Sequence, residues 1–253
     1  MGELFTPLLA VFALIGFIIG FSKTSVGGLA AIAVAVAALA MPAKESTAAI
    51  LAVLIAGDVV AVSLFGRHVD WSLLRRLIPA VLPGLILGTM FLAVVSDEVL
   101  RRSIGVMLLV LGGMQLWLGQ RRRTRPRMAG APSRADHPVM SWVTGGAAGF
   151  TTMTANAAGA VMTLYFVAKG VEKSRFIGSI AWFFLGVNLA KVPFSVGLGL
   201  MAWDDIGRAV LVFPLVVLGG FAGRALVRRL DQHQFDIAVL LGSALAAVVL
   251  IVS

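Results

Sequence analysis

The chain has 253 residues, of which 59% are hydrophobic and only 13% charged, about half the charged share of a soluble domain. A mean hydropathy of +0.98 excludes an ordinary water-soluble enzyme and points to an all-α, polytopic integral membrane protein. The net charge of +9 is read as a determinant of membrane orientation rather than as a nucleic-acid surface. Cysteine is absent and the three histidines lie in polar stretches, so neither a disulfide framework nor a metal site is expected. No cofactor is expected either.

In chain order, the apolar segments of a first set run Leu8 to Phe21, Val26 to Met41, Thr47 to Phe65, Leu77 to Val95 and Ile104 to Leu118. A second set runs Ser141 to Phe150, Ala157 to Ala168, Phe176 to Leu198, Ile206 to Val227 and Phe235 to Val252. Only Glu3 is charged before the first segment, so the basic region of a cleavable signal is missing and that segment is expected to stay in the membrane. Between the sets lies an Arg- and Pro-rich linker, residues 119–138, expected to be an exposed loop. The predicted organisation is therefore a first membrane repeat over 1–118, the linker, and a second repeat over 139–253.

Matches between the sets keep one order. Gly16-x-x-x-Gly20-Phe21 corresponds to Gly145-x-x-x-Gly149-Phe150, Trp71 to Trp203, and Val81-Leu82-Pro83 through Gly88 to Val212-Phe213-Pro214 through Gly219. The first two segments of each set are short for a hydrocarbon core of about 30 Å. A polar break separates them, Ser22 to Ser25 in the first set and Thr151 to Asn156 in the second. Each pair is read either as one kinked crossing, which makes the repeats parallel, or as a re-entrant hairpin or two tilted passes, which makes them inverted.

Positive charge favours the second reading. With the six-Arg linker taken as cytoplasmic, inverted repeats put fifteen Lys and Arg in inside loops against four outside. Parallel repeats give ten against nine. The expectation is two inverted-topology repeats, each a broken short-helix pair followed by three transmembrane helices, with both termini periplasmic.

No Walker loop, zinc motif or nucleophile elbow is present. The informative residues are polar ones at membrane depth, where an ionisable group is costly and by default marks a substrate or proton path. Lys23 lies in the first break, with Ser22, Thr24 and Ser25 beside it and Gly27 and Gly28 leading into the next helix. A helix start there would offer free N–H groups to an anion. The second break offers Thr151, Thr152, Thr154 and Asn156 as neutral donors, and the two breaks together would form one cage for a small oxyanion with Lys23 as its charge. The competing reading has Ser and Thr capping helices while Lys23 snorkels to an interface. Asp58 in the third segment, with Asn188 and Lys191 in its counterpart, reads either as a proton-coupling group, with Lys191 as its partner or as a second anion contact, or as half of a fixed buried ion pair. Trp71, Trp203 and the Arg224, Arg228, Arg229 group read as interfacial anchors.

The polar break after Gly16 to Phe21, the Gly27-Gly28 pair, the Pro42 loop, the Gly66 to Trp71 stretch and the Pro83 to Gly88 helix resemble the TauE/SafE sulfite exporter family. The likeness covers nearly the whole chain outside the linker. It implies a multi-pass transporter of the bacterial inner membrane that moves a small sulfur-containing anion, of the sulfite or organosulfonate type, using an ion gradient. The expected partners are that anion and the lipid bilayer, with no nucleic acid. The family's glycine-rich break maps onto Ser25 to Gly28 and Ala155 to Ala158, the second of which lacks the glycines. A passive anion channel and a non-transport membrane subunit are the alternatives.

The cysteine-free chain makes the topology directly measurable. Single substitutions Gly130→Cys and Asp204→Cys are expected to react with an impermeant thiol reagent from opposite sides of the membrane, and Glu172→Cys from the same side as Gly130→Cys. Reaction at position 172 from the side opposite to Gly130→Cys would refute inverted repeats.

Overall fold

The computed structural model describes residues 5–25, 30–124, 137–231, 234, 235 and 237. Every regular element among them is helical: α1 (Phe5–Thr24), α2 (Ala30–Ala40), α3 (Ala43–Phe65), α4 (Trp71–Val94), α5 (Asp97–Thr124), α6 (Pro138–Ala155), α7 (Ala158–Lys169), α8 (Lys173–Gly197) and α9 (Trp203–Arg229). A single 3-10 turn, Gly66–His68, follows α3. Four helices, Ala43–His68 with that turn included, Trp71–Val94, Lys173–Gly197 and Trp203–Arg229, are long and apolar enough to cross a bilayer. The predicted last segment lies almost wholly outside the described residues, as do linker residues 125–136; the part of the linker up to Thr124 continues α5 as helix.

Two boundaries differ from the sequence reading. The expected breaks at Ser22 to Ser25 and Thr151 to Asn156 remain largely helical, so α1 has 20 residues and α6 has 18, or roughly 30 and 27 Å. Their hydroxyls make this possible by bonding back into their own helix. Thr24 donates to the Gly20 carbonyl at 3.0 Å, Thr151 to Ala147 at 2.7 Å and Thr154 to Phe150 at 2.9 Å. The second halves of the pairs, α2 and α7, are short, with 11 and 12 residues.

The most extensive packing joins the first set to the second: α1 lies along α9, α4 along α6, and α3 crosses α8. Glycines set the first two contacts. A Cβ on Gly219 would strike the α1 backbone at Phe17 and Phe21, and one on Gly149 the α4 backbone at Val81 and Leu85. One on Gly84 would meet the α6 backbone at Gly146 and Phe150. The paired Gly-x-x-x-Gly motifs are thus close backbone seams.

Two apolar clusters flank these seams. Phe12, Ile15 and Ile19 of α1 join Ile50 and Val53 of α3 and Val212 and Val216 of α9, while Leu77 and Leu85 of α4 join Met162 and Phe166 of α7 and Phe183 of α8. The outward faces are apolar as well: Leu82, Leu87, Met90 and Val94 of α4 and Val210, Leu211 and Leu218 of α9 are exposed. Water would not tolerate such continuous apolar surface, whereas acyl chains favour it. Trp71 and Trp203 are the first residues of α4 and α9 and both are exposed, as an interfacial position requires.

Asp70 caps α4, its Oδ1 accepting from the Ser72 hydroxyl at 2.6 Å and from the Ser72 and Leu73 amides. These bonds, the Ser72 hydroxyl foremost, hold its carboxyl below the usual carboxylate range. At the other end of the second set, Lys173 Nζ donates to the carbonyls of Leu230 at 2.6 Å and Val227 at 3.3 Å, closing the C-terminus of α9.

The seams predict a contrast between two glycines. Gly84→Ala drives a methyl into the α6 backbone and is expected to cost about 1–3 kcal/mol, read as a lower unfolding temperature in detergent. Gly105→Ala, where a Cβ meets nothing within 4 Å, is expected to leave that temperature unchanged. Equal effects of the two would show that the α4–α6 seam is not a close contact.

Candidate functional site

Polar groups from both sets meet where α1 and α6 end beside the α3–α8 crossing. Lys23 stands in the last turn of α1. Its Nζ lies 2.6 Å from Asp58 Oδ1 on α3, with both side chains buried. Gly57 makes room for this reach, since a Cβ there would press on Ile19 and on the stem of Lys23. The same ammonium sits 4.0 Å from the centre of the buried Phe184 ring of α8, a cation–π contact.

Asp58 is shared between the two sets. Its Oδ2 accepts from Asn188 Nδ2 at 2.6 Å. Asp58 and Asn188 occupy corresponding places in the two third segments, so this bond joins the α3–α8 crossing at matching points of the two halves.

One helical turn along α8, Lys191 is fully buried. Its Nζ donates to the Thr152 carbonyl at 2.8 Å and to Asn156 Oδ1. Asn156 ends α6 in the left-handed conformation, φ 49°, ψ 29°, a C-terminal position that Asn tolerates. Its Nδ2 in turn donates to the Thr47 carbonyl of α3 at 3.2 Å. Asn156 therefore ties the end of α6 to both α3 and α8.

The sequence-predicted residues divide accordingly. Lys23, Asp58 and Asn188 are linked through their side chains, and Lys191, Thr152 and Asn156 form a second group through side-chain and carbonyl contacts. Thr24 is buried and spends its hydroxyl on the Gly20 carbonyl and, across the α1–α9 seam at 2.8 Å, on Gly220. Ser25 bonds back to Phe21, and Thr151 and Thr154 bond back within α6. These hydroxyls serve their helices, and the buried Ser22 is a neighbour of Lys23 in the same last turn. Gly27 and Gly28 lie outside the described residues. Sequence reasoning did not single out Phe184, Gly57 or the Thr47 carbonyl. Phe184 stands at i+4 and i+7 spacing from Asn188 and Lys191 on one face of α8, a signal that could have found it; a backbone carbonyl carries none.

Charge in this region does not cancel. Lys23 and Asp58 neutralise one another, whereas Lys191 has only neutral acceptors and no carboxylate within ion-pair distance among the described residues. No cluster of metal-ligating side chains occurs among those residues. A separate open pocket at one end of the bundle, lined by Arg67, His68, Asp70, Glu172 and Arg175 among others, balances its formal charges and includes an Arg175–Asp70 pair at 3.7 Å.

A helical bundle with lipid-compatible faces and charged groups buried between its helices defines an integral membrane protein. The family model described as Sulfite exporter TauE/SafE matches residues 12–250. The chain belongs to that family, which is one of membrane transporters. No curated protein and no solved structure shows a significant match.

The ion pair yields a stability test. Asp58→Leu alone strands Lys23 in a buried site and is expected to destabilise by about 3–5 kcal/mol, while pairing it with Lys23→Met should restore most of that loss. Thermal unfolding in detergent reads both. A double variant no more stable than Asp58→Leu would show that the two charges are not each other's principal partner.

Proposed function

We propose that the protein is a secondary transporter that carries a small sulfur-containing anion across the bacterial inner membrane, coupled to a proton gradient, with the anion held near the membrane midplane. The observation that carries this reading is Lys191, a basic side chain buried with only neutral acceptors where groups of both halves meet. A buried cation with only neutral acceptors favours an incoming anion that completes its charge balance. Family membership supplies the chemical class of that anion.

This reading moves the anion-binding charge from Lys23, where the sequence placed it, to Lys191, because Lys23 already has Asp58. Asp58 becomes the coupling group. Protonating it would remove one half of the Lys23–Asp58 pair and weaken the Asn188 bond, loosening the link between the third helices of the two halves. The two repeats, separated by the linker at 119–138, are proposed to be inverted and to rock against one another about the α3–α8 crossing, giving alternating access. Reciprocal packing of α1 on α9 and α4 on α6 supports a twofold relation, and the distribution of basic residues supports the inverted sense, with the linker cytoplasmic and both termini periplasmic.

Purified protein in proteoliposomes provides the test, with sulfite, thiosulfate, sulfate and several organosulfonates supplied with and without an imposed pH gradient. At least one sulfur anion is expected to move, faster with the gradient, and Lys191→Met should slow it tenfold or more, on the order of 1.4 kcal/mol or greater in transition-state terms. Asp58→Asn is expected to abolish gradient-driven accumulation of an organosulfonate, which brings no titrating proton of its own. Failure of every anion to move, or equal movement in Lys191→Met, would defeat the proposal; an unchanged gradient response in Asp58→Asn would remove Asp58 from coupling.

A further inference from the structure

Resting on the transport reading, we infer that the site takes its oxyanion as a monoanion that still carries a hydrogen-bond donor, hydrogensulfite rather than a sulfite, sulfate or thiosulfate dianion, with Lys191 Nζ donating to it and Asn188 Oδ1 accepting from it.

Three observations lead there. The first is charge. Counted formally, the buried side chains Lys23, Asp58 and Lys191 leave one positive charge. A monoanion closes that balance. A dianion leaves an excess negative charge among buried side chains, which is costly.

The second is the orientation of Asn188. An ionised carboxylate only accepts, so the Asn188 amino group must face Asp58 Oδ2, as it does at 2.6 Å. The amide cannot be turned over without setting two acceptors against each other. Its carbonyl oxygen is thereby committed to point elsewhere, and Asn188 Oδ1 is buried without a hydrogen-bond partner among the described residues. A buried acceptor in that condition costs about 1–3 kcal/mol until a donor reaches it.

The third is the donor on the next turn. Lys191 lies three residues along α8, hence on the same face. Its ammonium has three protons, and the Thr152 carbonyl and Asn156 Oδ1 take two. One cationic donor and one neutral acceptor a helical turn apart are complementary to a ligand that offers both an anionic oxygen and an acidic hydrogen. Hydrogensulfite offers both, whether its proton sits on oxygen or on sulfur. Methanesulfonate matches the charge but has no donor to set against Asn188 Oδ1. Sulfate and thiosulfate match neither requirement near neutral pH.

The anion then carries its proton with it. Hydrogensulfite that crosses and ionises on the far side releases one proton and one sulfite dianion, with no redox change. A net proton flux thus accompanies sulfite independently of any side chain.

The test compares sulfite with methanesulfonate in proteoliposomes of the full chain. Sulfurous acid loses its second proton near neutrality, whereas methanesulfonate stays a monoanion and reports only changes in the protein. On the alkaline side, the ratio of the total-sulfite KM to the methanesulfonate KM is expected to rise about tenfold per pH unit, following the hydrogensulfite fraction. Sulfate should compete poorly at every pH. Asn188→Leu should bring the two KM values together; if that variant does not fold, the wild-type ratio decides alone. A ratio that stays constant with pH, or sulfate competing as well as sulfite, overturns this inference and leaves the transport reading standing. No transport of any sulfur anion overturns both.

Discussion

The bond from Lys23 to Asp58, continued by Asn188, is the interaction on which the buried site depends. Each of the three groups is expensive at membrane depth when alone. Linked, the lysine and aspartate cancel in charge and the asparagine satisfies the second carboxylate oxygen. Because Asp58 and Asn188 belong to different halves of the chain, the same bonds that make the charges tolerable also fix α3 against α8. Neutralisation and register are thus one constraint, and Lys191 is what remains outside it.

That constraint is met only if the helices approach closely. The glycine seams of α1 on α9 and α4 on α6 bring backbones into contact, and no hydrophobic driving force between helices is available in lipid to replace that packing. The Thr24 hydroxyl makes the link explicit: it sits one residue after Lys23 and donates across the seam to Gly220. The position of the Lys23 ammonium is therefore set partly by a contact between α1 and α9.

Much of this was legible in the sequence, for identifiable reasons. Apolar runs of membrane length give helices almost without ambiguity, and Lys23, Asp58, Asn188 and Lys191 stand out because few polar residues interrupt those runs. Boundaries were less legible. Ser, Thr and Asn read as breaks because they compete for backbone hydrogen bonds in water, but in a buried helix the same hydroxyls turn to their own carbonyls and prolong it, as Thr151 and Thr154 do in α6. Partner choice was not legible at all. From the sequence Asp58 reads as the partner of Lys191 in the counterpart helix, but the course of α1 past Gly57 brings Lys23 to the carboxylate instead.

The positions that correspond between the two sets of segments differ in chemistry, and the difference is informative. Position for position, the aspartate of the first third helix faces an asparagine in the second, and the lysine ending α1 corresponds to a threonine near the end of α6. A symmetric pair of aspartates would set two negative charges side by side, and a symmetric pair of lysines in the breaks would repel. Substituting neutral groups in one half lets the halves bond directly across their crossing, while Lys191 supplies the second positive charge from a different turn. The neutral Asn188 is thus what lets α8 bond directly to the carboxylate of α3.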